Sequence, residues 1–366
     1  MKNTRRRWLK QTYLAFAGLS LNPLKNFALT DHPFPLLPDG DVIRLNANEN
    51  PYGPSPLARK AMAEAVSISN RYQWGKGTDL ISGIATNNNL KPDHVLIGAG
   101  STEILDLVVQ YVALQKGSFV VAEPTFSPWA KTAEGLGLQK IVVPLTLTKE
   151  VDLTSLLKAI KADTKMVHLC NPNNPTGTSC KQEELLQFVK EASKKALVMI
   201  DEAYLDYSNQ LSLGELVNEN KNLIVVKTFS KIYGLAGARV GYAMADPGLI
   251  DRLSRLQTWV NGGVSAVTLA GAIASLKDTE FVNSVNSLNE KARQFTIDQL
   301  ERLNIRCILS QSNFIYFSLS NYEKDYFNQL KSGNILGTRI YEEKGKWSRI
   351  TVGTLQEMQS FIKAIE

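Results

Sequence analysis

The chain has 366 residues, 44% hydrophobic and 21% charged, enough to bury a large core and to divide into two domains. Its formal net charge of +6 is accounted for by Lys2, Arg5, Arg6, Arg7, Lys10 and Lys25, which stand in residues 1–30 without an acid. The remainder is near neutral, which argues against nucleic acid as a partner. The cysteines (Cys170, Cys180, Cys307) and histidines (His32, His94, His168) are scattered, with neither metal spacing nor a disulfide framework, so no metal site is expected.

The N-terminus reads "TRRRWLKQTYLAFAGLSLNPL". Its apolar run from Tyr13 to Leu21 is too short to span a membrane. The order Thr4-Arg5-Arg6-Arg7-Trp8-Leu9-Lys10 resembles the twin-arginine export signal, with residues 1–28 as leader. Ala28 suits the cut, although Asn26 is not the small residue such sites take. This reading places the protein in the periplasm, with no stable membrane anchor unless the leader is retained. The alternative is a basic tail beside a short amphipathic helix on a cytoplasmic protein.

Residues 29–60 read as an N-terminal arm, in which "LNANENPYGPSP" (45–56) is irregular because Asn, Pro and Gly crowd it. Strands are predicted at "HVLIGAG", "SFVVAEP", "KIVVPL", "KMVHLCNP", "ALVMIDEAY" and "NLIVVKTFS", each a short β-branched apolar run. Helices are predicted between them, at "TEILDLVVQYVAL", "LTSLLKAIKA" and "QEELLQFVKEAS". The alternation implies an α/β domain over residues 61–260, a mainly parallel sheet with helices on both faces. A boundary near residue 260, within "TWVNGGVS", leads to a smaller α+β domain over 261–366 with a long charged helix at "TEFVNSVNSLNEKARQFTIDQLERL".

Ligands of such sheets bind beyond the C-terminal strand ends. The first strand runs into Ser101, Thr102 and Glu103 at a helix start, a weak anion site by itself. The fourth runs into "NPNNPTG" (171–177), dense in Asn and Pro for a plain turn. The fifth ends in Asp201 with Tyr204 following; an acid ending an apolar strand either caps a helix or meets a partner. The sixth runs into "TFSKIYGLAGARVGY" (228–242), where Lys231 stands between Thr228, Ser230 and a glycine-rich turn ahead of Arg239. A phosphate cradle, an amide, a carboxylate, a phenol and a lysine together match pyridoxal 5′-phosphate (PLP). The lysine takes its aldehyde and the acid holds its ring proton.

With "NPNNPTG", "DEAY" and "TFSKIYGLAGARVGY" in this order and spacing, the chain resembles the fold-type I PLP-dependent aminotransferases, the histidinol-phosphate aminotransferase branch above all. The match runs over nearly the whole chain after the leader. The resemblance implies a three-layer PLP-transferase fold of type I. It also implies that Lys231 binds the cofactor and shuttles protons, that Asp201 pairs with the pyridine nitrogen, and that Tyr204 and Asn174 bond the ring's phenolic oxygen. Ser101, Thr102, Thr228, Ser230 and Arg239 would hold the phosphate, and Phe126 of "EPTFSPW" would stack on the ring. Tyr72 of "NRYQW" would reach across a homodimer to the partner's phosphate. Arg349 of "WSRITVGT" would clamp the substrate carboxylate, and Arg339 lies roughly where relatives carry a cation for the distal phosphate. Two departures bear on substrate: Gln73 and Trp74 stand where the branch has proline, and the segment before Trp347 is short.

The reaction implied is transfer of an amino group between an amino acid or amine (histidinol phosphate or an aromatic amino acid) and a 2-oxo acid such as 2-oxoglutarate. A PLP-dependent decarboxylase or lyase acting on a phospho-amino acid would use nearly the same residues. A non-catalytic PLP sensor is the third reading, but residues 1–45 leave no room for a DNA-binding segment.

Overall fold

The structure, a computed structural model, describes residues 42–366; the expected leader, 1–28, and residues 29–41 of the expected arm lie outside the described residues. Strands β1 (Ile43–Arg44), β2 (Val95–Gly98), β3 (Ser118–Glu123), β4 (Gln139–Pro144), β5 (Thr164–Cys170), β6 (Leu197–Asp201), β7 (Leu223–Thr228) and β8 (Gly241–Ala245) come first in the chain. All but β1 form one sheet in the order β2-β8-β7-β6-β5-β3-β4. Only β8 opposes the others, pairing antiparallel with both β2 and β7. The expected strands are present, and β8 is an addition that the sequence pattern did not suggest.

Successive side chains of the inner strands enter opposite cores, as the pleat requires. On one face Val120, Val167, Val198 and Val225 meet Leu80, Ile84, Leu185 and Phe188 from the helices Trp74–Asn87 and Gln182–Ala192. On the other, Phe119, Val121, Met199 and Ile224 meet Ile104, Val108, Trp129 and Leu249 from the helices Ser101–Ala113, Pro128–Gly135 and Pro247–Ser254. This is the three-layer α/β arrangement. Leu269 and Ala272, from the helix Ala266–Ser275, also join the first core although they follow the turn near residue 260.

The rest of the chain builds β9 (Cys307–Ile308), β10 (Phe314–Ser318), β11 (Ile335–Leu336), β12 (Ile340–Glu342) and β13 (Trp347–Thr351). Four of these make an antiparallel sheet ordered β12-β13-β10-β9, while β11 pairs in parallel with β1. The long charged stretch is the helix Thr279–Arg302, capped by Asp278, whose carboxylate accepts from the Phe281 amide at 3.2 Å. The closing helix Leu355–Ile365 starts on a reciprocal box between Thr354 and Glu357. Phe317, Ile350, Leu300 and Phe361 fill the core between this sheet and these helices.

His168 lies fully buried on β5 beside Trp129, ring centroids 4.7 Å apart, and neither ring nitrogen has a hydrogen-bond partner. Burial holds its pKa at about 3, below the unfolded value near 6.5, so the folded chain carries it neutral. Stability is therefore full above pH 6.5 and falls as pH drops from there toward 3. We expect His168→Leu to remove this loss: between pH 7 and pH 5 the wild type should lose about 2 kcal/mol relative to the variant in denaturant titrations. Parallel acid limbs would mean that His168 does not contribute in this way.

Candidate active site

Strand register brings the separate motifs to one edge. Cys170 pairs with Asp201 and Asp201 with Val226, so β5, β6 and β7 end side by side. Gly241 pairs with both Gly98 and Thr228, which sets the start of β8 between the two phosphate-cradle segments.

At that junction the cradle closes tightly. Gly100 has φ +88°, and a Cβ there would collide with the Arg239 guanidinium; one on Gly241 would collide with the Ser101 amide. Only glycine allows these approaches. Arg239, itself left-handed at φ +60°, donates from Nη1 to Ser230 Oγ at 3.4 Å and to the Ala236 carbonyl at 3.0 Å. Thr228 Oγ1 donates to Ser230 Oγ at 3.0 Å. Ser101, Thr228, Ser230 and Arg239 thus gather around one helix start, where backbone N–H groups point outward. Thr102 sits exposed in the same first turn.

The asparagines of "NPNNPTG" divide the work. Asn171 ties to Gln210 at 2.8 Å, and Asn173 bonds Thr125 at 2.6 Å and Thr176 at 2.9 Å; both hold the loop. Asn174 faces a cleft of about 830 Å³ lined also by Phe126, Tyr204, Lys231, Arg339, Tyr341 and Arg349. Its Nδ2 donates to the Tyr204 hydroxyl at 3.1 Å, and its Oδ1 accepts from Arg349 Nη1 at 2.6 Å. Arg349 is only 6% exposed, its Nη2 donates to the Asn46 carbonyl at 3.0 Å, and its Nε has no hydrogen-bond partner. A buried guanidinium with a donor to spare suits an anionic ligand.

Lys231 stands at the floor of the cleft, Nζ donating to the Ala47 carbonyl at 3.3 Å and lying 5.5 Å from the Tyr204 ring centroid. Burial, then the Arg349 charge, lowers it to about 8, with Arg239 adding to the effect against Glu49 and Asp201. Much of it is a neutral nucleophile near pH 8. Asp201, 2% exposed, is pushed up to about 6 by burial, although the Ala203 amide at 3.0 Å and Lys231 oppose the rise. Such a carboxylate calls for a cation.

These residues fit PLP: a glycine-walled anion cradle, a buried acid without a paired cation, a phenol held by an amide and a depressed lysine converge. The comparisons decide the family. Residues 40–365 match the family described as aminotransferase class I and II. The chain belongs to this family.

A histidinol-phosphate aminotransferase of Moorella thermoacetica is 36% identical over 330 residues, which cover 89% of this chain and 85% of the relative. Another, from Caldicellulosiruptor saccharolyticus, is 34% identical over 329 residues, 89% of this chain and 91% of its own. The crystal structure of the histidinol-phosphate aminotransferase from Sinorhizobium meliloti in complex with pyridoxal-5′-phosphate aligns with a TM-score of 0.80 at 26% identity, covering 88% of this chain and 89% of that one. The protein is a PLP-dependent aminotransferase of fold type I. When bound, PLP supplies an electron sink that makes the substrate's Cα proton removable. With PLP bound, Lys231 would take and return that proton, Asp201 would balance the ring nitrogen's charge, and Arg239 with Ser230 and Thr228 would hold the phosphate, as the resemblance implies.

Tyr72 is not among the lining of this cleft. It is 72% exposed, stacks with Trp74 (centroids 5.1 Å) and meets Trp259 at a tilt (5.7 Å) beside a second hollow. The sequence reading missed Asn48, which also donates to Tyr204 at 3.1 Å, and Glu342, which accepts from Lys149 and from the Tyr316 hydroxyl at the cleft wall. The Asn-rich run at 45–56 was the available signal for Asn48.

We expect Asp201→Ala to lower kcat roughly a thousandfold or more, on the order of 4 kcal/mol of barrier, because the ring nitrogen loses its counter-charge. A rate near that of the wild type in steady-state assays would remove Asp201 from the site.

Proposed function

We propose that this aminotransferase takes histidinol phosphate as amino donor and a 2-oxo acid such as 2-oxoglutarate as acceptor. The observation that carries the reading is a pair of cations, Arg349 and Arg339, lining one cleft. The nearby Glu342 charge is met by Lys149 at 2.8 Å and the Tyr316 hydroxyl at 2.7 Å, so it does not cancel them. Histidinol phosphate carries one anion, its phosphate, and no carboxylate. One cation suits that phosphate, the two together suit the two carboxylates of the acceptor in the other half-reaction, and Phe126 and Tyr341 suit the donor's flat imidazole ring. The names of the relatives support the same substrate. Phe126 and Tyr341 also favour aromatic amino acids as a second donor class.

Single-turnover spectra of the PLP-loaded full chain test this directly. Histidinol phosphate, phenylalanine, tyrosine, histidine and glutamate are offered separately, and conversion to pyridoxamine phosphate is followed. Histidinol phosphate should convert fastest, with Lys231→Ala inactive in multiple turnover. Faster conversion of aromatic amino acids would move the substrate to that class. Release of carbon dioxide in place of pyridoxamine phosphate would make the chain a decarboxylase.

The twin-arginine order at residues 5–6 supports export to the periplasm by a route that moves folded, cofactor-bearing proteins. Replacing Arg5 and Arg6 by lysine should keep the protein inside the cell; an unaltered distribution on fractionation would sink the export reading. A homodimer is the expected assembly, supported by the exposed Tyr72, Trp74 and Trp259 cluster.

A further inference from the structure

Residues 46–48 touch three site side chains in succession. The Asn46 carbonyl accepts from Arg349, the Ala47 carbonyl from Lys231, and Asn48 Nδ2 donates to the Tyr204 hydroxyl. We propose that Asn48 is a positioning residue that directs the Tyr204 proton into the cleft, and that Thr351 sets the amide which does so. The proposal deepens the PLP assignment and rests on it.

A phenol has one proton to give and an oxygen that accepts. Both Asn48 and Asn174 donate to the Tyr204 oxygen, each at 3.1 Å. With its oxygen accepting twice, Tyr204 keeps its own O–H for the cleft that it lines. The direction of the Asn48 amide is not free. The Asn48 backbone N–H donates to Thr351 Oγ1 at 2.9 Å, and that hydroxyl donates onward to Asn48 Oδ1 at 3.2 Å. With Oδ1 so engaged, Nδ2 is the atom that meets Tyr204.

The backbone is held as well. Asn48 has φ +53°, a left-handed conformation that asparagine tolerates better than most residues. Asn313 Nδ2 donates to its carbonyl at 3.0 Å, and the residue is 1% exposed. A carboxylate of the same shape would invert the geometry. Asp at this position would accept from Tyr204 and draw the proton away from the cleft, so an oxygen of the bound cofactor would lose its donor.

The test uses the PLP-loaded full chain with Asn48→Asp, Asn48→Gly, Thr351→Val and Thr351→Ser. The readouts are the pH midpoint of the cofactor's visible absorption band without substrate, and kcat and KM with it. Removing a donor from a ring oxygen raises that oxygen's proton affinity, so the midpoint should rise by about half a pH unit or more in Asn48→Asp and Thr351→Val. Asn48→Gly, which keeps the left-handed backbone, should move it in the same direction by less. The expected fall in kcat is roughly threefold to tenfold, with KM changed by less than about twofold. Thr351→Ser restores the hydroxyl and should match the wild type. Unmoved midpoints in Asn48→Asp and Thr351→Val would overturn the proposal, and the glycine and Thr351 variants decide it if the aspartate variant fails to fold. A wild-type chain that forms no visible band with PLP would instead refute the cofactor assignment, and this proposal with it.

Discussion

Arg349 reaches from the antiparallel sheet to Asn174 at the end of the parallel one, and the rest of the site is arranged around that contact. Burying a guanidinium is costly unless its donors are used. Here two donors are spent on Asn174 and on the Asn46 carbonyl, which fixes the loop and the arm against each other. Asn174 carries the constraint to Tyr204, and Tyr204 carries it to Asn48. The chain of contacts therefore runs from one sheet through the other and back to Thr351 beside Arg349.

Two ionisable groups lie under this network, and burial moves them toward each other. Lys231 falls to about 8 and Asp201 rises to about 6. In water the gap between such groups would be more than six units. Desolvation narrows it because each charged form loses hydration that the cleft does not replace. A cofactor offering an aldehyde to one and a protonated ring nitrogen to the other meets both needs.

Much of the large sheet was legible because its strands are buried on both faces and read as unbroken apolar runs. Strand β8 was not. "GYAMA" is short, alanine-rich and lacks β-branched residues, so its own propensity says little. Its extended state comes from pairing with β2 and β7, a long-range contact that no local window contains. The helix Ala266–Ser275 shows the same limit: nothing local in its sequence says which sheet it covers.

For the site, the sequence by itself determined the candidate reactive groups and the cofactor class. Lysine, aspartate, tyrosine and the glycine-rich turn are each tied to a strand end by local spacing. Tertiary structure alone decided what directs them. Asn48 lies 156 residues from Tyr204, and Arg349 lies 175 from Asn174. Hydrogen bonds act over about 3 Å, so partners that far apart in the chain are joined only when two sheets and an irregular arm have packed together.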